Sequence, residues 1–80
     1  MELEVKTYAT LQKFSPPNTP LGGSFRINIE GETILDVIEH LKLPSKDTLI
    51  IMINGNRITD FQQKLNDNDL IVFFPQLGGG

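Results

Sequence analysis

Leu70-Ile71-Val72-Phe73-Phe74-Pro75-Gln76-Leu77-Gly78-Gly79-Gly80 is the stretch on which the reading of this chain turns. An apolar, β-rich run stops at a proline, and three glycines carry the final carboxylate. Residues without a Cβ pass through a narrow channel that any side chain would block. From Pro75 to Gly80 the segment reaches roughly 20 Å when extended at about 3.3 Å per residue. Taken alone, the glycines are as readily a frayed end, since chain ends are often poorly ordered. Whether they matter depends on what the residues before them build.

The run itself is a strand over Leu70 to Phe74 whose phase stays open. Either Ile71 and Phe73 are buried, or Leu70, Val72 and Phe74 are. With both phases apolar, the strand lies centrally in its sheet or its outer face meets a partner. Upstream, Asn66-Asp67-Asn68-Asp69 is a polar turn, with Phe61 and Leu65 plugging the core from an irregular connection. Thr48 to Ile53 is a continuous β-rich run with the character of a strand covered on both faces or lying mid-sheet. It is followed by Asn54-Gly55, the pair favoured in a type I′ turn because both central residues need positive φ. Arg57-Ile58-Thr59 is the short return strand. Arg57 is available to a partner's carboxylate or is simply exposed, and exposure is the plainer reading.

The chain's clearest helix runs from Ile34 to Leu41. Ile34, Val37, Ile38 and Leu41 follow the i, i+3, i+4, i+7 spacing of one buried face, Leu35 widens it, and Asp36, Glu39 and His40 point outward. Thr33 and Asp36 have the spacing of a capping box. Leu43-Pro44 predicts the helix end, because proline disfavours helical geometry in the residue before it. Residues 2 to 8 alternate polar and apolar, as do residues 24 to 30, and both stretches read as half-buried strands that pair. Between them, Ala9 to Phe14 forms a helical turn carrying Leu11 and Phe14 toward the core. Ser15 to Gly23, rich in Pro and Gly, is a surface loop.

Strand, strand, helix, strand, short strand, strand is the order of a β-grasp: an α+β fold in which a mixed four- to five-stranded sheet wraps one main helix. Residues 1–75 are expected to form that domain and residues 76–80 a flexible tail. One helix covers one sheet face, so the other face has apolar side chains to spare.

Eighty residues suffice for one small core and no second domain. The chain has no Cys, which removes disulfides, zinc-thiolate sites and any cysteine nucleophile or persulfide on this polypeptide. Seven basic against ten acidic residues give a net charge of −3. That disfavours nucleic acid, whose binding needs clustered Lys and Arg, and makes a basic protein partner the better expectation. No apolar run approaches a membrane span and no signal-peptide layout opens the chain, so no membrane partner and a cytoplasmic location are expected. His40, the one histidine, has no second ligand type near it and is read as solvated, and no metal site is expected.

These pieces together resemble the ThiS/MoaD group of ubiquitin-like sulfur carriers over essentially the whole chain. The resemblance is carried by Val5-Lys6-Thr7-Tyr8-Ala9-Thr10-Leu11, by the helix Thr33 to Leu41, by Ile53-Asn54-Gly55, and above all by Asn68 to Pro75 running into Gly79-Gly80. The Phe74-Pro75 pair before the glycines and the long loop after the first strand put it closer to the MoaD side, the small subunit of molybdopterin synthase. It departs from the family pattern in having Asp67-Asn68-Asp69 where Asp-Gly-Asp is usual, and in the additional Gly78. Asn also tolerates the left-handed geometry.

The resemblance implies a carrier or cosubstrate that is not itself an enzyme. A ThiF/MoeB-like adenylating enzyme, using ATP and Mg²⁺, would convert the Gly80 carboxylate to an acyl-adenylate. A cysteine desulfurase or rhodanese would supply the sulfur that turns it into a thiocarboxylate. A MoaE-like synthase subunit would receive that sulfur for the dithiolene of molybdenum or tungsten cofactor. Gly78 and Gly79 would thread the channel, and Phe74, Pro75, Gln76 and Leu77 would meet the partner. For Phe74, core packing and an interface role are both open at this point; for Leu77 the interface is favoured. The same terminus would equally serve a carrier for thiamine thiazole or another sulfur metabolite, or a ubiquitin-like modifier forming isopeptide bonds with lysines. A binding module that uses only the open sheet face is a third possibility.

Overall fold

The computed structural model describes residues 1–76. Its elements are β1 (Glu2–Thr7), a 3₁₀ turn (Ala9–Phe14), β2 (Phe25–Asn28), α1 (Ile34–Leu41), a second 3₁₀ turn (Lys46–Thr48), β3 (Leu49–Ile53), β4 (Asn56–Ile58) and β5 (Leu70–Pro75). They form one five-stranded sheet in the order β2-β1-β5-β3-β4, with α1 on one face. Only β1 and β5 pair in parallel; the other three pairings are antiparallel. This is the mixed sheet and single helix of the β-grasp.

α1 forms where the sequence places it because both of its ends are specified locally. Thr33 Oγ1 accepts from the Asp36 amide at 3.3 Å, and Asp36 Oδ2 accepts from the Thr33 amide at 3.0 Å, closing the capping box. The other end differs from expectation. Lys42 adopts a left-handed conformation, φ 58°, and its amide and that of Leu43 turn back onto the carbonyls of Glu39 and Ile38. The helix is thus closed one residue before Leu43-Pro44, and the proline only prevents its resumption. β4 also sits one residue earlier than Arg57–Thr59, because Asn54 and Gly55, at φ 50° and 87°, make a two-residue turn that pairs Ile53 directly with Asn56.

The core lies between α1 and the sheet. Ile34, Val37 and Ile38 of the helix meet Leu3 and Val5 of β1, Leu49 and Ile51 of β3, and Ile71 and Phe73 of β5, with Leu11, Ile29, Leu43 and Leu65 closing the ends. Phe14 and Phe61 pack against this cluster from the side. The phase of the last strand is therefore Ile71 and Phe73 inward. Thr7 is the exception among apolar neighbours: it is buried, and its Oγ1 has no hydrogen-bond partner among the described residues.

Candidate functional site

β5 occupies the middle of the sheet, paired on one side with β1 and on the other with β3. Its end is fixed by one more bond, the Gln76 amide donating to the Thr48 carbonyl at 2.7 Å. Gln76 is therefore held at a defined point on the rim of the sheet. Leu77, Gly78, Gly79 and Gly80, the residues the sequence singles out for partner contact, threading and the reactive carboxylate, lie outside the described residues.

Pro75 and Gln76 are the last residues described. Pro75 is half-buried opposite Leu49, and Gln76 is exposed. Phe74 has its position decided by alternation. Phe73 is fully buried on the helix side, so Phe74 projects from the opposite, uncovered face. There the ring of Tyr8 stacks on it, with centroids 5.0 Å apart and planes 8° from parallel. The strand registers put further half-exposed side chains on the same face. Ile50 lies opposite Phe74, Met52 opposite Val72, and Lys6 beside Val72, while Arg57 lies opposite Met52. Tyr8, Phe74, Ile50, Val72 and Met52 thus form a contiguous apolar patch bounded by two cations and continuous with the root of the tail. A patch of this kind is the usual mark of an interaction site.

Composition alone reached only part of this patch. Leu70, Val72 and Phe74 were legible as one of two phases. Tyr8, Ile50, Met52 and Lys6 were not, because they become neighbours of Phe74 only through the pairings of β1 and β3 with β5. The one available signal was that the alternation of β1 continues past Thr7 to Tyr8, on the side of Lys6.

The far end of the same face is polar. Arg26 Nε donates to Glu2 and its Nη2 to Asn68, and the Ser24 hydroxyl donates to Glu4. The Asn66–Asp69 turn is consumed internally: the Glu2 amide donates to Asp67 Oδ1 and the Asn54 side-chain amide to Asp69 Oδ1. Asp36 is held below the ordinary aspartate value, first by the Thr33 hydroxyl, which donates to it at 2.8 Å, and then by backbone amides. These groups hold the fold together and lie away from the tail's root. His40 is exposed on the outer side of α1. Among the described residues no cluster of three or more His, Asp or Glu side chains is positioned for a metal ion, and no helix is long and apolar enough to cross a membrane.

Comparison with solved structures shows where this architecture recurs. SAMP1 from Haloferax volcanii matches over 100% of both chains with a TM-score of 0.69 and 19% identity. A complex of subunits 1 and 2 of the molybdopterin-converting factor from Helicobacter pylori contains a match over 100% of both chains, with a TM-score of 0.65 and 19% identity. A putative molybdopterin converting factor subunit 1 from Pyrococcus furiosus matches over 95% of this chain and 98% of its own, at 0.68 and 20% identity. These likenesses establish the fold. Comparison with curated proteins finds no significant match. The profile of the ThiS family matches residues 19–80, from the Pro/Gly loop through the final glycine, and the chain belongs to the ThiS family.

Proposed function

We propose that this protein is a sulfur carrier whose Gly80 carboxylate is activated by an adenylating enzyme and converted to a thiocarboxylate. The observation that carries the reading is the continuity of the apolar patch around Phe74 with the end of the central strand, from which the glycine segment departs. A carboxylate on a glycine tether needs an enzyme that docks the body and draws in the tether, and a patch at the tether's root is where such docking holds it in register.

A free α-carboxylate, with a pKa of about 3.3 to 3.7, is an anion at neutral pH and a poor electrophile. Attack of a carboxylate oxygen on the α-phosphorus of ATP expels pyrophosphate and leaves the acyl-adenylate. A sulfur nucleophile, delivered by a cysteine desulfurase or rhodanese persulfide, then adds to the carbonyl and expels AMP. Reductive cleavage of the resulting acyl disulfide by a thiol leaves the thiocarboxylate. Glycine at positions 79 and 80 leaves the approach to that carbonyl unobstructed. Mg²⁺ and ATP belong to the adenylating enzyme, of the ThiF/MoeB kind, and this chain acts as its cosubstrate. For the acceptor we propose a MoaE-like subunit that uses the sulfur in making molybdopterin. In support, one matched structure is a complex of subunits 1 and 2 of a molybdopterin-converting factor, and another is a putative subunit 1 of such a factor.

Intact-mass measurement of the protein from its native host tests the reading. Replacement of one terminal oxygen by sulfur supports it. Branched Gly-Gly remnants on lysines of other proteins, with no sulfur at Gly80, would establish the modifier instead. Gly79→Val is expected to abolish ATP–pyrophosphate exchange with the host's adenylating enzyme; unchanged exchange would refute a role for the tail.

A further inference from the structure

A cleft that shares Arg57 with the border of the apolar patch adjoins Gln76, the last residue described. It measures about 200 Å³, with an apolar floor of Leu49, Ile58 and Phe61, cations Lys46 and Arg57 on its lining, and Gln76 in its wall. The Lys46 ammonium stands 5.4 Å above the Phe61 ring. Neither cation has an ion-pair partner among the described residues. Asp47 is the one acid on the lining, so this spot is locally cationic in a chain of net charge −3.

We propose that the cleft takes an acidic segment of the adenylating enzyme, a carboxylate-bearing side chain next to an apolar one, at the mouth of the channel that receives the tail. The inference rests on the reading of Gly80 as the activated group. Two observations support it. The Gln76 amide is tied to Thr48 and Gln76 lines this cleft, so the cleft stands at the point from which the chain leads on to Gly80, next to any enzyme that takes in that terminus. The chemistry facing that mouth is two unpaired cations over an apolar floor, which a carboxylate flanked by an apolar side chain complements in both charge and surface. Such pairs chiefly steer encounter and fix register. The overall acidity of the chain favours a basic partner surface in general; at the tail's root the complement is acidic.

The test uses the full chain with the adenylating enzyme of its host, and reads KM for the carrier in ATP–pyrophosphate exchange. Reversing both charges, K46E/R57E, is expected to raise KM by about tenfold or more with little change in kcat, and neutralising them, K46Q/R57Q, to give an intermediate rise. Added salt should raise the wild-type KM and leave that of K46E/R57E flat. K13E/K64E makes the same change in net charge at positions that do not line the cleft and should leave KM unchanged. Melting curves check folding, and if the reversed variant fails to fold, K46Q/R57Q carries the test alone. An unchanged KM in the folded variant overturns the proposal, as does an equal rise in K13E/K64E. If the wild-type chain supports no exchange, the carrier reading falls and this inference with it; exchange that ignores Lys46 and Arg57 overturns this inference alone.

Discussion

Tyr8 and Phe74 stack face to face at 5.0 Å on the uncovered side of the sheet, while Phe73, one residue earlier, is fully buried on the other side. Two adjacent phenylalanines thus have different work, and substitution separates it. Phe73→Ala empties a core position and is expected to cost about 3–5 kcal/mol, a large share of the roughly 5–15 kcal/mol that holds a domain folded. Phe74→Ala removes a half-exposed ring and one aromatic pair, an expected loss of about 1 kcal/mol. Urea denaturation measures both. In ATP–pyrophosphate exchange, folded Phe74→Ala is expected to show a raised KM as substrate of the proposed adenylating enzyme, and an unchanged KM would remove the patch from the docking surface.

Thr7 offers a stabilising change. Its hydroxyl is buried without a hydrogen-bond partner among the described residues, beside Phe73 across the β1–β5 pairing. Thr7→Val keeps the shape and removes the unsatisfied group, whose burial costs about 1–3 kcal/mol. The urea midpoint should rise with an unchanged slope; a fall would show that the hydroxyl is satisfied by water in solution.

The clasp at the start of α1 makes stability depend on acid. Asp36 Oδ2 accepts from the amides of Glu32 and Thr33, both at 3.0 Å, and from the Thr33 hydroxyl at 2.8 Å, and its pKa is lowered as a result. The unfolded value is about 3.9, so the contribution is complete above it and disappears as pH falls through the lower folded-state pKa. Asp36→Asn should flatten that acid limb in pH-dependent melts. Gly31 belongs to the same device, because a Cβ there would overlap the Asp36 carboxyl group. Gly31→Ala is therefore expected to destabilise the wild type and to do less in an Asp36→Ala background, where the carboxyl contacts are gone and only the contact with the Cβ of residue 36, at 2.7 Å, remains. Additive effects in that double-mutant cycle would disprove the coupling.

Asn54 joins the β3–β4 turn to the beginning of β5. Its amide donates to the Leu70 carbonyl at 2.8 Å, its side-chain oxygen accepts from the Leu70 amide at 2.9 Å, and its Nδ2 donates to Asp69 Oδ1 at 2.9 Å. Asn54→Asp replaces the donor with a second carboxylate facing Asp69. It should destabilise the fold by about 1–2 kcal/mol at neutral pH, and part of that loss should be recovered as the pH is lowered into the carboxylate range. A loss independent of pH would rule out the charge conflict.

What could be read from residues alone follows the range of the interactions involved. The helix and its N-terminal clasp were legible because Thr33, Asp36 and the Ile34/Val37/Ile38/Leu41 stripe lie within a few positions of one another. The turn at Asn54-Gly55 was legible for the same reason. Its second role, holding Leu70, was not, since the partners are 16 positions apart. Nor could β5 declare its inward phase, because Leu70, Val72 and Phe74 are as apolar as Ile71 and Phe73. The sheet order decides that, through a parallel pairing with a strand more than sixty residues upstream. Tyr8 and the Lys46–Arg57 cleft are invisible to local patterns on the same ground. At Lys42 the local rule pointed elsewhere: a lysine in left-handed geometry ends the helix without the glycine that usually marks such a stop.

The placement of β5 also has a mechanical consequence. A pull on the tail, whether from an enzyme drawing it inward or from an unfolding motor, loads the strand in the middle of the sheet. That strand is bonded along its length to β1 on one side and to β3 on the other. Because β1 begins at the opposite terminus and runs parallel to β5, tension between the two ends shears many hydrogen bonds at once instead of peeling them singly. A load applied at the C-terminal end of β5 is therefore shared across the middle of the sheet, and the fold resists it better than it would if that strand lay at an edge.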